Sequence, residues 1–311
     1  MTQSPRCVAG PGRSEASFVP SPAEPLPQQL LAAITQHRMA TTQQLHMLVR
    51  PGVGRRAISA PLNRLRREEY VDFTILPNSY RTRAWYLTPS GVQITRDWPM
   101  MRGRPRYPIT SASAASMRTP HTLTVLRAHL AFVNDARRRG DDHGPLDWTP
   151  EVAHSLGDGG RIIADALLYY VLHNEDGRRV KLRALVEVDR ATTSSERLAT
   201  KLIEYARFHT YTPTPPSRRT SHPVEAEPAW QRWYPVFPRV LFVLTGAGAL
   251  TLAHRIEDLQ AMTAEHPAVH TLARTVPMGA ATLEDLELHG PTGPVWAPLS
   301  GKGKPRSWTE L

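Results

Sequence analysis

At 311 residues and 41% hydrophobic content, the chain is long enough for about two domains with real cores. Its single cysteine, Cys7, lies in a Pro/Ser/Gly-rich opening, which excludes disulfides and thiolate metal sites. The net charge of +10 is confined to one place: residues 26–110 hold 13 Arg against 4 acids, whereas residues 111–311 hold 23 Lys and Arg against 22 acids. One N-terminal block therefore carries the electrostatic footprint of a polyanion partner.

No charged segment followed by an apolar run opens the chain, and the longest uncharged apolar run, Val240 to Ala253, is too short to span a bilayer. A cytoplasmic location and no membrane partner are expected. Lysine is scarce: only Lys181, Lys201, Lys302 and Lys304 among 38 basic residues. An internal lysine is thus worth tracing, since a compact ammonium and a guanidinium are not interchangeable at a reactive centre.

Residues 1–25 have little to bury and read as a disordered tail. Residues 26–98 read as a winged helix-turn-helix domain. Leu30, Leu31 and Ile34 mark a first helix ending near His37, and Thr41 or Thr42 can cap a second over Gln43–Leu48. A third, Arg55–Arg67, turns Ile58, Leu62 and Leu65 inward and Arg55, Arg56, Ser59, Asn63, Arg64 and Arg66 outward. Pro61 should kink this helix or mark a late start. Tyr70–Leu76 and Arg81–Leu87 form a hairpin turning at Pro77-Asn78-Ser79-Tyr80, with Arg81 and Arg83 on it, before Thr88 opens a short helix. A helix, a helix-turn-helix and a basic hairpin follow one another as in a winged reader of double-stranded DNA. There the third helix enters the major groove and hairpin arginines meet phosphate or the minor groove.

Residues 99–120 read as a basic linker in which Arg102, Arg104 and Arg106 add phosphate contacts. Residues 121–289 read as an α/β domain, making the whole chain α+β. A helix over His121–Arg139 precedes strands at Trp148–Leu156, holding Glu151, and Arg161–Leu172, holding Asp165. Tyr169 and Tyr170 fall inside the latter, where packing accounts for them. Ala184–Val188 is a third strand, with Leu185, Glu187 and Asp189 on one face. Thr193-Ser194-Ser195-Glu196 has the form of a capping box. The helix it opens carries an apolar stripe of Leu198, Leu202, Tyr205 and Ala206, with Lys201 about 60° off its centre. Residues 209–239 read as a Pro-rich insertion. Further elements follow at Val240–Thr245 (strand), Leu250–Glu265 (helix) and Thr275–Met278 (edge strand), and residues 290–311 read as a flexible tail.

Asp165 and Glu187 stand among aliphatic neighbours, where a carboxylate is costly unless a cation or donors meet it. With Glu151 they would suit Mg²⁺ (or Mn²⁺) held by oxygen ligands, an ion able to generate hydroxide at a phosphate under attack. The competing reading pairs these acids with arginines such as Arg161, Arg183 or Arg190.

This helix, strand, strand, strand, helix, strand order, with its mid-strand Asp and E-x-D strand, resembles the PD-(D/E)XK, restriction-endonuclease-like superfamily. The resemblance implies Asp165, Glu187, Asp189 and Lys201 as catalytic residues and Glu151, Asp165 and Glu187 as metal ligands. Asp189 stands where that family carries its lysine, and Lys201 on the following helix is the substitute. The stretches LLAAITQHRMATTQQLHMLV, YLTPSG, IIADALL and VEVDRATTSSERLATKLIEY also resemble the actinobacterial replication-relaxation family, over about Leu26 to Phe208. That resemblance implies DNA handling on a plasmid or mobile element, with replication or transfer proteins as further partners. Two readings stay open, a metal-dependent DNA-nicking protein and a non-catalytic regulator or replication accessory on a degenerate nuclease fold. There is no H-x-H motif for a relaxase, and Gly301-Lys302-Gly303-Lys304 lacks the other features of a nucleotide-binding loop.

Overall fold

The computed structural model describes residues 25–77, 79–101, 112–156, 160–192, 194–213 and 227–311, with backbone alone for 112–118. The fold is mixed α+β with two sheets, and the chain divides into two compact units. One comprises residues 1–150 and 169–181, the other residues 151–168 and 182–311. Residues 1–24 of the expected tail 1–25 lie outside the described residues, as do Arg102, Arg104 and Arg106.

In the first unit α1 (Leu26–His37) starts next to a proline, whose missing N–H costs nothing there, and buries Leu30, Leu31 and Ile34. A three-residue strand that periodicity could not reveal, β1 (Met39–Thr41), follows. Thr41 then caps α2 (Thr42–Val49) in a reciprocal box: its hydroxyl accepts from the Gln44 N–H, and the Gln44 side chain accepts from the Thr41 N–H. In α3 (Arg56–Arg67), Ile58, Leu62 and Leu65 point inward as expected. The helix starts at its basic end and runs through Pro61 as one element, so the late start does not occur.

Strands β2 (Val71–Ile75) and β3 (Arg83–Leu87) pair antiparallel, and β1 adds to the other side of β3, giving the order β1-β3-β2. The turn lies later than expected. The Thr82 N–H donates to Ser79 O at 2.8 Å, and the two central residues, Tyr80 (φ 40°) and Arg81 (φ 63°), are both left-handed. Hairpins favour this mirror-image turn because its twist matches the strands, but side chains other than Gly or Asn there cost about 1–3 kcal/mol each. Helix α4 (Pro89–Thr95) is capped by Thr88 and lies so close to the hairpin that a Cβ at Gly91 would fall 2.0 Å from Tyr70 O.

The next helix is longer than its sequence signal. Helix α5 (Ala112–Arg139) takes in the second half of the expected linker, with Pro120 inside it. Its Leu126, Leu130 and Val133 join the same core as Leu30, Leu45, Leu62 and Trp85. Beside that core His37, His129 and His143 pack ring to ring with Trp148, all buried, and burial pushes His143 down to about 3.

The larger sheet has the order β4-β5-β6-β7-β8-β9, with β4 (Trp148–Ser155), β5 (Arg161–His173) and β6 (Arg179–Asp189) as its first three strands. Helix α6 (Ser195–Thr210) leads towards β7 (Arg239–Leu244), and α7 (Ala249–Glu265) and α8 (Pro267–Ala273) lead to β8 (Met278–Thr282). Strands β6, β7 and β8 run parallel, in register from Ala184↔Arg239 and Val240↔Met278. Such strands are covered on both faces and read as near-continuous apolar runs, as RVLFVL does.

Several expected boundaries shift. Thr193, on which the expected capping box depends, lies outside the described residues, and Ser194, at the N-cap of α6, makes no side-chain cap. Tyr169, placed in the core on sequence grounds, is 37% exposed, and Tyr170 is buried. Of the insertion 209–239, residues 214–226 lie outside the described set, while Tyr234 and Phe237 are buried in the core of the second unit. The expected edge strand is β8, an interior strand, because residues 290–311 are no flexible tail. After α9 (Leu283–His289) they supply the short strand β9 (Ala297–Pro298), and Trp296 and Trp308 are wholly buried. Two indoles offset the Gly/Pro-rich composition that suggested disorder.

Candidate functional site

Glu187 and Asp165 meet where β5 and β6 adjoin. Alternation on β6 aims Glu187 at α6, and it is 5% exposed. Asp165 is half-buried, and its Oδ2 accepts the Val188 N–H at 2.8 Å. From α6, Lys201 Nζ reaches Glu187 Oε1 at 3.4 Å while donating to Ile163 O at 2.6 Å. Tyr205, one helical turn on, donates its hydroxyl to the same Glu187 Oε1 at 2.7 Å. Burial pushes the Glu187 carboxyl up to about 8, and the neighbouring Asp165 charge adds to this; Lys201 and the Tyr205 hydroxyl pull the other way without cancelling it. The cluster is thus a proton-holding carboxyl beside a second carboxylate, with an ammonium against it.

Two other candidates have different settings. Asp189 is 7% exposed, and its Oδ2 is held by Arg255 of α7 through Nη2 at 2.6 Å and Nε at 2.8 Å. Glu151 sits half-buried on β4 at φ 51°. Among the described residues no group of three or more His, Cys, Asp or Glu side chains is arranged to hold a metal.

In the first unit the outward face of α3 and the hairpin carry the basic candidates. Arg55, Arg56, Asn63, Arg64, Arg66, Arg81 and Arg83 are exposed and Ser59 is half-buried. Arg83 donates to Asn63 Oδ1 at 3.1 Å, tying the hairpin to α3, and the guanidinium groups of Arg66 and Arg83 lie over the Phe73 ring at 4.6 and 4.3 Å. Arg64 pairs with Glu68 and Arg66 with Asp72, each at 2.8 Å; such exposed pairs are weak and can be exchanged for another anion. Arg55, Arg56 and Arg81 have no ion pair among the described residues.

A family model described as replication-relaxation matches residues 31–219, more than half of the chain. The chain belongs to the replication-relaxation family. No curated protein and no solved structure matches it. The replication-relaxation match takes in both the basic face and the Asp165–Glu187–Lys201–Tyr205 cluster, and it stops short of Arg255. Among the described residues no helix is long and apolar enough to cross a membrane.

Sequence reasoning missed two residues of this replication-relaxation chain. Tyr205 looked like part of an apolar stripe, yet its spacing of four from Lys201 puts both polar tips over one strand. Arg255 had no local signal, because only the parallel pairing of β7 with β6 brings the following helix, α7, to the end of β6.

Proposed function

We propose that this protein binds double-stranded DNA of a plasmid or mobile element and nicks it with a metal-dependent centre. In this reading the first unit is a winged helix-turn-helix domain, with α3 in the major groove and the β2–β3 hairpin as the wing. The second unit is a PD-(D/E)XK-like domain. Three arginines without ion pairs among the described residues, and a wing tied to α3 through Arg83 and Asn63, support the DNA-binding part. The observation that carries the nicking part is the convergence of Lys201 on Glu187, with Asp165 alongside.

Two adjoining carboxylates suit Mg²⁺ or Mn²⁺, which bind through one or two carboxylates and substrate oxygens. Asp165 and Glu187 would hold the ion; when bound it supplies a water-derived nucleophile and charge neutralisation at phosphate. Lys201 places a positive charge at the carboxylate pair, where it can hold a phosphate oxygen or orient water. Tyr205 keeps one Glu187 oxygen occupied and so sets its rotamer.

A second reading rests on Asp189. The position where related nucleases carry lysine is here committed to Arg255, which favours a degenerate nuclease fold in a DNA-binding accessory of replication or transfer proteins. The two readings separate on supercoiled plasmid incubated with and without Mg²⁺ or Mn²⁺. The nicking reading expects metal-dependent conversion to open circles, reduced about 100-fold or more in Asp165→Ala, Glu187→Ala and Lys201→Met, the scale of losing one charge-stabilising group. Absence of nicking, or nicking that survives these substitutions, leaves the accessory reading. DNA binding is tested by gel shift: Arg55→Ala, Arg56→Ala and Arg81→Ala together should flatten the slope of log affinity against log salt by about 0.9 for each phosphate no longer neutralised.

A further inference from the structure

Tyr80 lies in the hairpin turn and is fully exposed, with no ring contact among the described residues. An isolated exposed aromatic is by itself unremarkable in a surface; the backbone beneath this one is not. Tyr80 and Arg81 both hold positive φ, a conformation that Gly or Asn would adopt at less cost. Local hydrogen bonds keep it there. Ser79 Oγ donates to Leu76 O at 2.6 Å, Thr82 Oγ1 donates to Ser79 O at 2.7 Å, and the Leu76 N–H donates to Thr82 O at 2.9 Å. A strained, braced turn that displays a ring adding no folding stability is a reason to look for a ligand.

The surroundings say which one. The next residue, Arg81, is exposed and has no ion pair among the described residues, and the block containing them carries 13 Arg against 4 acids. An exposed ring and an exposed arginine carried on one turn suit a nucleic-acid base with its phosphate: the ring can stack and the cation can meet the backbone. In intact duplex the base faces are already stacked on one another, so a protruding ring gains a partner only where a step is opened.

We propose that Tyr80 stacks on an unpaired or unstacked base, so that the preferred ligand is DNA with an opened step rather than continuous duplex. This rests on the DNA-binding reading above and specifies its substrate class.

The test uses the full-length protein with a labelled duplex and the same duplex carrying a short mismatched bubble that includes 2-aminopurine. The wild type should bind the bubble about tenfold more tightly, the scale of one base–aromatic stack, and should quench the 2-aminopurine. Tyr80→Ala should lose the preference and the quenching while keeping duplex affinity within about twofold, and Tyr80→Trp should keep both. Equal affinity of the wild type for the two DNAs, or a preference retained by Tyr80→Ala, overturns the proposal and leaves duplex binding standing. Failure to bind either DNA overturns the DNA-binding reading itself.

Discussion

Glu187 and Asp189 lie two residues apart on one face of β6, and both are nearly sealed from water, at 5% and 7% exposure. Their partners make them different chemical groups. Asp189 receives a guanidinium through two nitrogens at 2.6 and 2.8 Å. Glu187 receives an ammonium at 3.4 Å that is also bound to a main-chain carbonyl, a phenol hydroxyl, and a second carboxylate whose charge opposes its own. Burial is common to the two, so burial is not what marks a reactive acid here. A carboxylate gripped by a guanidinium through two nitrogens is part of the architecture. One with a shared counter-charge and an acidic neighbour has a reason to accept a further cation.

The most severe way to test that contrast is to remove Arg255. Arg255→Met leaves Asp189 buried without its guanidinium and should cost about 3–5 kcal/mol, read as a lower urea midpoint at neutral pH. Pairing it with Asp189→Leu should recover most of the loss, because an apolar pair of similar volume replaces a desolvated ion pair. A loss below about 1 kcal/mol for the single variant would mean that Asp189 is not held as the geometry indicates.

Glu187 should respond to pH in a way that isolates its burial. Its folded pKa of about 8 lies above the ordinary 4.5, so the folded chain keeps a proton that the unfolded chain releases. The stability this group contributes is intact below about pH 4.5 and is lost as pH rises towards 8, by up to roughly 4 kcal/mol. The buried His143 and His154, pushed down to about 3 and about 4, act oppositely and reduce stability as pH falls below their ordinary 6.5. Comparing Glu187→Gln with the wild type cancels the histidines. The variant should be nearly equal to the wild type at acidic pH and more stable by roughly 3 kcal/mol above pH 8. Parallel stability curves for the two proteins would show that Glu187 meets no such penalty.

How much of this was legible in the sequence follows from how local each signal is. The inward faces of α2 and α3, the strand at Asp165 and the strand at Glu187 follow from apolar spacing, and they are where spacing puts them. The place of Lys201 at the border of the buried face of α6 is legible as well, because its angle from the stripe is a property of that helix alone. Arg255 and the ordered C-terminal segment were not legible. Both depend on which strands neighbour which: β7 brings α7 over Asp189, and β8 provides the edge on which β9 and the two buried indoles close. The turn at Tyr80 and Arg81 was misplaced for a different reason. Pro77-Asn78 is the stronger turn signal, and the chain instead adopts positive φ at residues that carry large side chains.

The smallest expected effect is also the most discriminating for the Glu187 cluster. Tyr205→Phe removes one hydroxyl from a fully buried ring and leaves the packing on Leu198 and Leu202 in place. If the phenol only fills space, its loss costs a constant fraction of a kcal/mol at every pH. In the arrangement seen here the hydroxyl donates to Glu187 Oε1 and lowers its pKa, so it holds the ionised carboxylate more strongly than the protonated one. Tyr205→Phe should therefore cost about 1 kcal/mol at about pH 6 and about 2 kcal/mol at about pH 9, where Glu187 must ionise with one donor fewer. In a Glu187→Gln background the pH dependence of this loss should disappear, since an amide cannot ionise. That cycle assigns the coupling to the Tyr205–Glu187 pair rather than to the core around it.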